Sequence, residues 1–414
     1  MKVLWFEVTE PSRYRANGAP IGGWQDSLES IVRKHTDIEL FVAFMSSKYT
    51  EVKVIDGVTY HPIYAKYSYF ENHFRKHWDV YVEKMLPAAK LIVQKYKPDI
   101  IHIFGTEWPF GQISKFTQIP VVIHIQGAII PYNNALYPPG YSIFDRIRQC
   151  GISLRKMINL YRTVTDEHNW AKWEKDTWKN VSNYMGRTEW DKSLSAVLHP
   201  GRKYYHVDEA LRPDFLNSKK EWMDSDSTKI KLLSTGCSSF WKGPDMMIKV
   251  AKILKEAGVD FEWMVAGKMP KEIIEMVERK EQTTYKDNNI KFLGFVNSDS
   301  LSDLLCSVSM YVHTAYIENS PNSICEAQCL GVPIISTNVG GISTLVKNGS
   351  EGVLVPANDP WQMAYAIMNL AKDKTRKEGF SAAGKKKALE RHSEEKIYEQ
   401  LLSCYVDVIK YNAL

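Results

Sequence analysis

The feature that most constrains this chain is an alternation that runs from one end to the other. Short apolar runs rich in β-branched residues are separated by longer segments of helical period. Ile100-Ile101-His102-Ile103-Phe104, Val121-Val122-Ile123-His124-Ile125, Ile230-Lys231-Leu232-Leu233, Phe261-Glu262-Trp263-Met264-Val265 and Pro333-Ile334-Ile335 are such runs. About five apolar residues without polar alternation suit a strand buried on both faces, as in a parallel sheet covered by helices. Stretches such as 244–257 and 301–308 supply the crossovers, so the expected class is α/β built on parallel sheets.

A chain of 414 residues is too long for one ordinary core, and two domains of similar size are expected. The clearest compositional break is 217–229, polar, short of aliphatics and followed at once by a strand run, so the join is placed there. Residues 1–216 then form the first domain and 217–395 the second. The last segment carries Ile397, Leu401, Leu402, Tyr405 and Val408 at helical spacing and reads as a helix with one buried face.

Composition removes several classes. Apolar residues at 44% and charged residues at 24% are those of a globular protein. A net charge of +5 without dense Lys/Arg clusters falls short of a nucleic-acid binder. The six cysteines, Cys150, Cys237, Cys306, Cys325, Cys329 and Cys404, form no CxxC pair and have no His at zinc spacing, so reduced thiols in the cytosol are expected. The N-terminus enters a strand pattern at once, without a secretory leader. The longest apolar stretch, 119–132, contains Pro120, His124, Gln126 and Pro131 and is too interrupted to span a bilayer. A cytoplasmic protein is expected.

Residues 133–180 stand apart. They are crowded with Tyr and Trp, and Arg146, Arg148, Arg155, Lys156 and Arg162 occur without an intervening acid. Such an insertion can dock on lipid headgroups or on an acceptor, giving a peripheral membrane contact. Alternatively it is a surface helix whose aromatics pack on its own domain.

The richest stretch for chemistry is 316–333. Glu318 and Glu326 flank Asn319-Ser320-Pro321-Asn322-Ser323. Ser320 or Asn319 is expected to cap a helix beginning at Pro321, with Glu318 just before it and Glu326 on its second turn. Free N–H groups at such a helix start favour phosphate, and a carboxylate one turn in suits a ribose diol. The pair therefore reads as a grip on both halves of a nucleotide diphosphate sugar.

In these residues the sequence resembles glycosyltransferase family 4, retaining transferases of the two-domain GT-B fold. The match comprises Glu318, Glu326, Ala327, Gly331 and Pro333, then Ser336-Thr337-Asn338-Val339-Gly340-Gly341 and Gly352-Val353-Leu354-Val355-Pro356. The resemblance implies two doubly wound Rossmann-like domains facing across a cleft. The first would bind acceptor and the second donor, with 396–414 packing back on the first. It also implies that Glu318 holds the donor sugar, that Glu326 holds the ribose, and that Lys242, after Gly236 and before Gly243, pairs with the diphosphate. The family commonly has Arg directly after that glycine, where this chain has Cys237; Arg187 from the other domain is the expected substitute.

Gly294 and Val296 are placed against the base, and Pro321, Asn322 and Ser323 at the phosphates. Gly22 and Gly23 fall where the family has a Gly-rich loop. Gln126 and Gly127 end a strand where relatives often carry His, and Glu189 lies near Arg187 at the acceptor side. No cofactor and no metal are implied. The Asp224-Ser225-Asp226 triplet imitates the acidic metal motif of another transferase fold but lies in the polar join.

The expected reaction retains the anomeric configuration and moves a sugar to a glycan or lipid-linked acceptor in surface polysaccharide or glycoconjugate biosynthesis. The alternative is a nucleotide-sugar epimerase of the same fold. A dinucleotide-dependent oxidoreductase would need Gly-x-Gly-x-x-Gly after the first strand, and the segment from Val8 to Gly23 has no such spacing.

Overall fold

The computed structural model describes residues 1–15, 23–68, 70–71, 77–225 and 228–412. Gly22 and Asp226 lie outside them. The chain divides into two compact units, one comprising Met1–Asn133, Leu154–Arg212 and His392–Leu414, the other Asn134–Ser153 and Pro213–Arg391.

The first unit holds a sheet of order β3-β4-β2-β1-β5-β6-β7-β8. Its strands are β1 (Lys2–Glu7), β2 (Glu39–Ser46), β3 (Lys53–Ile55), β4 (Val58–Tyr64), β5 (Ile100–Phe104), β6 (Val121–His124), β7 (Asn183–Gly186) and β8 (Lys203–His206). All pairings are parallel except the β3–β4 hairpin. The β-branched runs identified above become β5 and β6, and every residue of both is buried, as a doubly covered parallel strand requires.

Helix Glu394–Asn412 completes this unit. It buries Ile397, Leu401, Tyr405 and Val408 in the same core as Val3, Trp5 and Phe104. The Tyr405 hydroxyl accepts from Trp5 Nε1 at 3.0 Å and lies 2.6 Å from His102 Nδ1. These contacts satisfy polar atoms that burial would otherwise penalise.

The second unit holds an all-parallel sheet of order β11-β10-β9-β12-β13-β14. Its strands are β9 (Ile230–Thr235), β10 (Phe261–Ala266), β11 (Ile290–Gly294), β12 (Met310–His313), β13 (Ile334–Thr337) and β14 (Val353–Val355). Numbered within the unit, this order is 3-2-1-4-5-6, the doubly wound dinucleotide-fold topology.

Two segments differ from the sequence reading. The polar stretch 217–229 is no free linker. Trp222 is buried, its backbone N–H donates to Leu330 O at 2.8 Å and its indole N–H to Val308 O at 2.7 Å. Lys220 pairs with Asp299 and Asp303, and Lys377 with Asp224. One tryptophan inside a polar run suffices to pin it to the second unit. Residues 134–153, placed in the first domain on sequence grounds, group with the second unit. There Tyr141 is buried and its hydroxyl donates to Glu281 at 2.8 Å.

Candidate functional site

In the second unit, strand order reverses between β9 and β12. Crossovers from these neighbours leave on opposite faces, so their following loops part at the carboxyl edge and open a crevice, the usual ligand position in such a sheet. Lys242 stands in the loop after β9 and Glu318 in the loop after β12. Residues 76 apart in sequence are thereby brought together, and the Lys242 ammonium pairs directly with the Glu318 carboxylate.

The two loops are fastened by backbone. Tyr316 N–H donates to Trp241 O at 2.7 Å, and Thr314 Oγ1 donates to Lys242 O at 2.9 Å. At Gly243 (φ +70°) a Cβ would lie 1.9 Å from Thr314 O, so the close approach needs glycine. On the far side, a Cβ at Gly340 (φ +52°) would lie 1.8 Å from Glu318 O, and Gly341 N–H donates to that carbonyl at 2.9 Å. The Gly-Gly pair after β13 therefore braces the backbone that presents Glu318.

His313, the last residue of β12, places Nε2 3.9 Å from the Glu318 carboxylate and Nδ1 3.4 Å from Ser336 Oγ. Burial, reinforced by the Lys242 charge, lowers its pKa to about 3. It is therefore a neutral imidazole at pH 7, and the positive charge facing Glu318 is that of Lys242. Cys237 is buried close by, and burial pushes its thiol up to about 12. The position where the family commonly has Arg is thus held by a neutral group.

Three glycines end adjacent strands. Gly236 N–H donates to Ala266 O at 3.0 Å and Gly267 N–H to Gly294 O at 2.7 Å, with φ of +70° at Gly236, +103° at Gly267 and +69° at Gly294. Among the described residues, a Cβ at Gly236 or Gly294 would meet nothing within 4 Å. This edge therefore presents backbone rather than side chains. Val296 follows in the loop, half-buried, behind an exposed Phe295.

Helix Asn322–Cys329 starts one residue later than the sequence suggests. Pro321 is its N-cap in an extended conformation, without a side-chain cap bond, so neither Ser320 nor Asn319 occupies the capping position. Proline fixes its own φ but leaves ψ free to extend, which shifts the start by one. Asn322 and Ser323 form the first turn, and the Ser323 side chain bonds the buried Tyr311 hydroxyl, tying the helix start to β12. Glu326 lies on the second turn and is buried.

In the first unit the reversal falls between β1 and β5. Gly23 caps helix Trp24–Val32 at φ −70°, and a Cβ there would meet nothing within 4 Å among the described residues, so the fold itself does not demand glycine. After β5 comes Gly105-Thr106-Glu107, which sequence reasoning missed. The Glu107 carboxylate accepts from Gly127 N–H at 3.0 Å. Burial, with the negative Glu174 nearby, pushes its pKa up to about 8. Glu174 itself accepts from Thr106 Oγ1 at 2.6 Å and from Ile129 and Ile130 N–H at 2.9 Å each, capping helix Ile129–Tyr132. Gln126 and Gly127 thus sit beside two acids. The available signal was a Gly-Thr-Glu directly after a buried strand, the same local pattern that flagged Gln126-Gly127.

Arg187 is 4% exposed. Its Nε lies 3.0 Å from the Glu209 carboxylate, its Nη1 donates to Ile125 O at 2.8 Å, and the guanidinium lies 5.2 Å from the Trp24 ring centroid. The guanidinium joins β6, β7 and residue 209, and its carboxylate partner is neither Glu189 nor Asp191. Asp191 instead accepts the Arg187 backbone N–H at 3.0 Å within a capping box. Glu189 is exposed on the first turn of that helix beside Lys192. Arg187 and Glu189, read together from sequence, are not brought together. Among the described residues no cluster of three or more His, Cys, Asp or Glu is placed to hold a metal.

Residues 218–387 match the family described as glycosyl transferases group 1. N-acetyl-alpha-D-glucosaminyl L-malate synthase of Bacillus anthracis is 26% identical over 211 residues, 50% of this chain and 53% of that protein. Capsular polysaccharide biosynthesis glycosyltransferase CapM of Staphylococcus aureus is 29% identical over 170 residues, 41% of this chain and 44% of that protein. The match spans about half the length of these curated relatives. Among solved structures, sucrose-phosphate synthase from Thermosynechococcus elongatus aligns over 99% of this chain and 100% of its own, at TM-score 0.74 and 14% identity. Anabaena HepE in complex with UDP and glucose aligns over 98% and 100%, at TM-score 0.63 and 15% identity. At such identities the likeness is one of fold, and that fold is GT-B. Residues 218–387, which carry Lys242, Glu318 and Glu326, are accordingly a domain of the glycosyl transferases group 1 family.

Proposed function

We propose that this chain is a glycosyltransferase that moves a sugar from a nucleotide diphosphate sugar to a glycan or lipid-linked acceptor, with retention and without a metal. The observation that carries the reading is the Lys242–Glu318 pair at the β9/β12 reversal, set before the start of helix Asn322–Cys329. A cation and helix N–H groups at one place suit a diphosphate, and a carboxylate beside them suits sugar hydroxyls.

In the free protein Lys242 and Glu318 neutralise each other. Donor binding would exchange this pair for two others, Lys242 with the diphosphate and Glu318 with the sugar. Glu326 would take the ribose. As the glycosidic bond lengthens, charge grows on the leaving diphosphate, and Lys242 with the helix N-terminus stabilises it more in the transition state than in the ground state. Six cysteines free of disulfides fit a reducing compartment, where the donor would be met on the cytoplasmic side.

The test is thermal unfolding of the purified chain with UDP, GDP and their sugars in the presence of EDTA. UDP goes first because HepE was solved with UDP and glucose. A donor bound to the native state raises the melting temperature. Stabilisation by one nucleotide, followed by its release only on addition of acceptor, is the expected result. No stabilisation by any of them overturns the reading.

A further inference from the structure

Helix Leu154–Asn180 has two unlike halves. Its later half is built into the first unit. Asp166, Glu174, Thr177 and Trp178 are buried, Trp173 stacks on Trp78 with centroids 5.1 Å apart, and Trp178 on Tyr184 at 4.5 Å. The tryptophans that make 133–180 look like a docking segment thus pack on their own domain.

The first two turns are different. Every residue from 154 to 159 is exposed. Leu154 is 71% exposed, Met157 45%, Ile158 47% and Tyr161 76%, and their spacing of i, i+3, i+4 and i+7 puts them on one face. Arg155, Lys156 and Arg162 occur among them, and no acid occurs between Arg146 and Thr165. The chain just ahead has the same character, with Phe144 and Ile147 exposed around Arg146 and Arg148 and Ile152 fully exposed.

We propose that the amino-terminal two turns of this helix lie in the headgroup layer of an anionic lipid bilayer, apolar face inward. An exposed aliphatic stripe gains free energy only by leaving water, and a helix with such a stripe flanked by bases is the form that rests in a membrane interface. The occupant follows from charge. A second copy of the same face would set cations against cations. A glycan would call for a dense array of hydrogen-bonding groups, and on this face Leu154, Met157 and Ile158 supply none, leaving only the Tyr161 hydroxyl. An anionic bilayer accepts both features, because its surface potential attracts each base that comes near it.

The inference does not depend on the donor reading, because nucleotide stabilisation can be measured on the same proteins. The experiment is co-sedimentation of the full chain with phosphatidylcholine vesicles, with and without phosphatidylglycerol. The expected result is binding to the anionic vesicles only, reduced at least tenfold in Arg155→Glu/Lys156→Glu and again in Leu154→Ser/Ile158→Ser, with unchanged melting temperatures. These residues are exposed, so the variants should fold. Absence of binding to anionic vesicles overturns the proposal. So does binding unaffected in both variants, or a wild-type dimer by light scattering that both variants dissociate.

Discussion

The two sheets each reverse strand order once, and the two reversals are furnished differently. In the second unit the loops beyond β9 and β12 are clamped backbone to backbone, and a cation meets a carboxylate between them. In the first unit the loop beyond β5 carries Glu107, held by Gly127 N–H and crowded by Glu174, while Arg187 is buried in an ion pair with Glu209. The lesson is that a charge at a strand's carboxyl edge is not by itself a ligand group. Lys242 is partly open and paired with a residue on a second loop. Arg187 is closed in and paired with Glu209 inside its own unit.

Substitutions can break that contrast. Arg187→Met should leave Glu209 buried without its partner and cost about 4 kcal/mol of stability. Stabilisation by nucleotide should persist in whatever folds; its loss in a folded variant would show that Arg187 reaches the donor after all. His313 gives the next largest effect, through pH. Its folded pKa of about 3 lies below the unfolded value of 6.5, so between these values the unfolded chain binds more protons. Stability from this site is therefore complete above pH 6.5 and falls by roughly 3 kcal/mol towards pH 4. His313→Gln should flatten that slope in denaturant titrations at pH 4 and 7; an unchanged slope would mean that the imidazole is not buried beside the pair.

Lys242→Ala should lower turnover about 100-fold, near 2.7 kcal/mol, while nucleotide still shifts the melting temperature. Equal turnover in variant and parent would remove the lysine from the chemistry and erase the difference from Arg187. Glu326→Ala is the mildest, weakening nucleotide about tenfold, or 1.4 kcal/mol, by calorimetry. An unaltered affinity would place the ribose elsewhere.

Legibility divides along the same line. Runs such as Ile100–Phe104 announced parallel strands because burial on both faces leaves a local imprint in composition. Lys242, Glu318 and Glu326 could be named because each stands in a short ordered motif. Glu107 and the Arg187–Glu209 pair could not, since their meaning lies in which distant residue comes to meet them. Trp222 was lost for a related reason, one buried indole hidden in a polar run. The need for glycine at 340 was likewise invisible until Glu318 O was seen against it.

The helix at 394–412 has a temporal consequence. Trp5 obtains its Tyr405 partner only 400 residues later in the chain, and His102 only 303 residues later. The stretch 213–391 has a core of its own, which can close while the earlier sheet still shows an apolar flank to water. Maturation of the two halves would then run opposite to their order of synthesis. A released chain truncated after residue 391 should hold a protease-resistant second unit and a first unit that chaperones still bind.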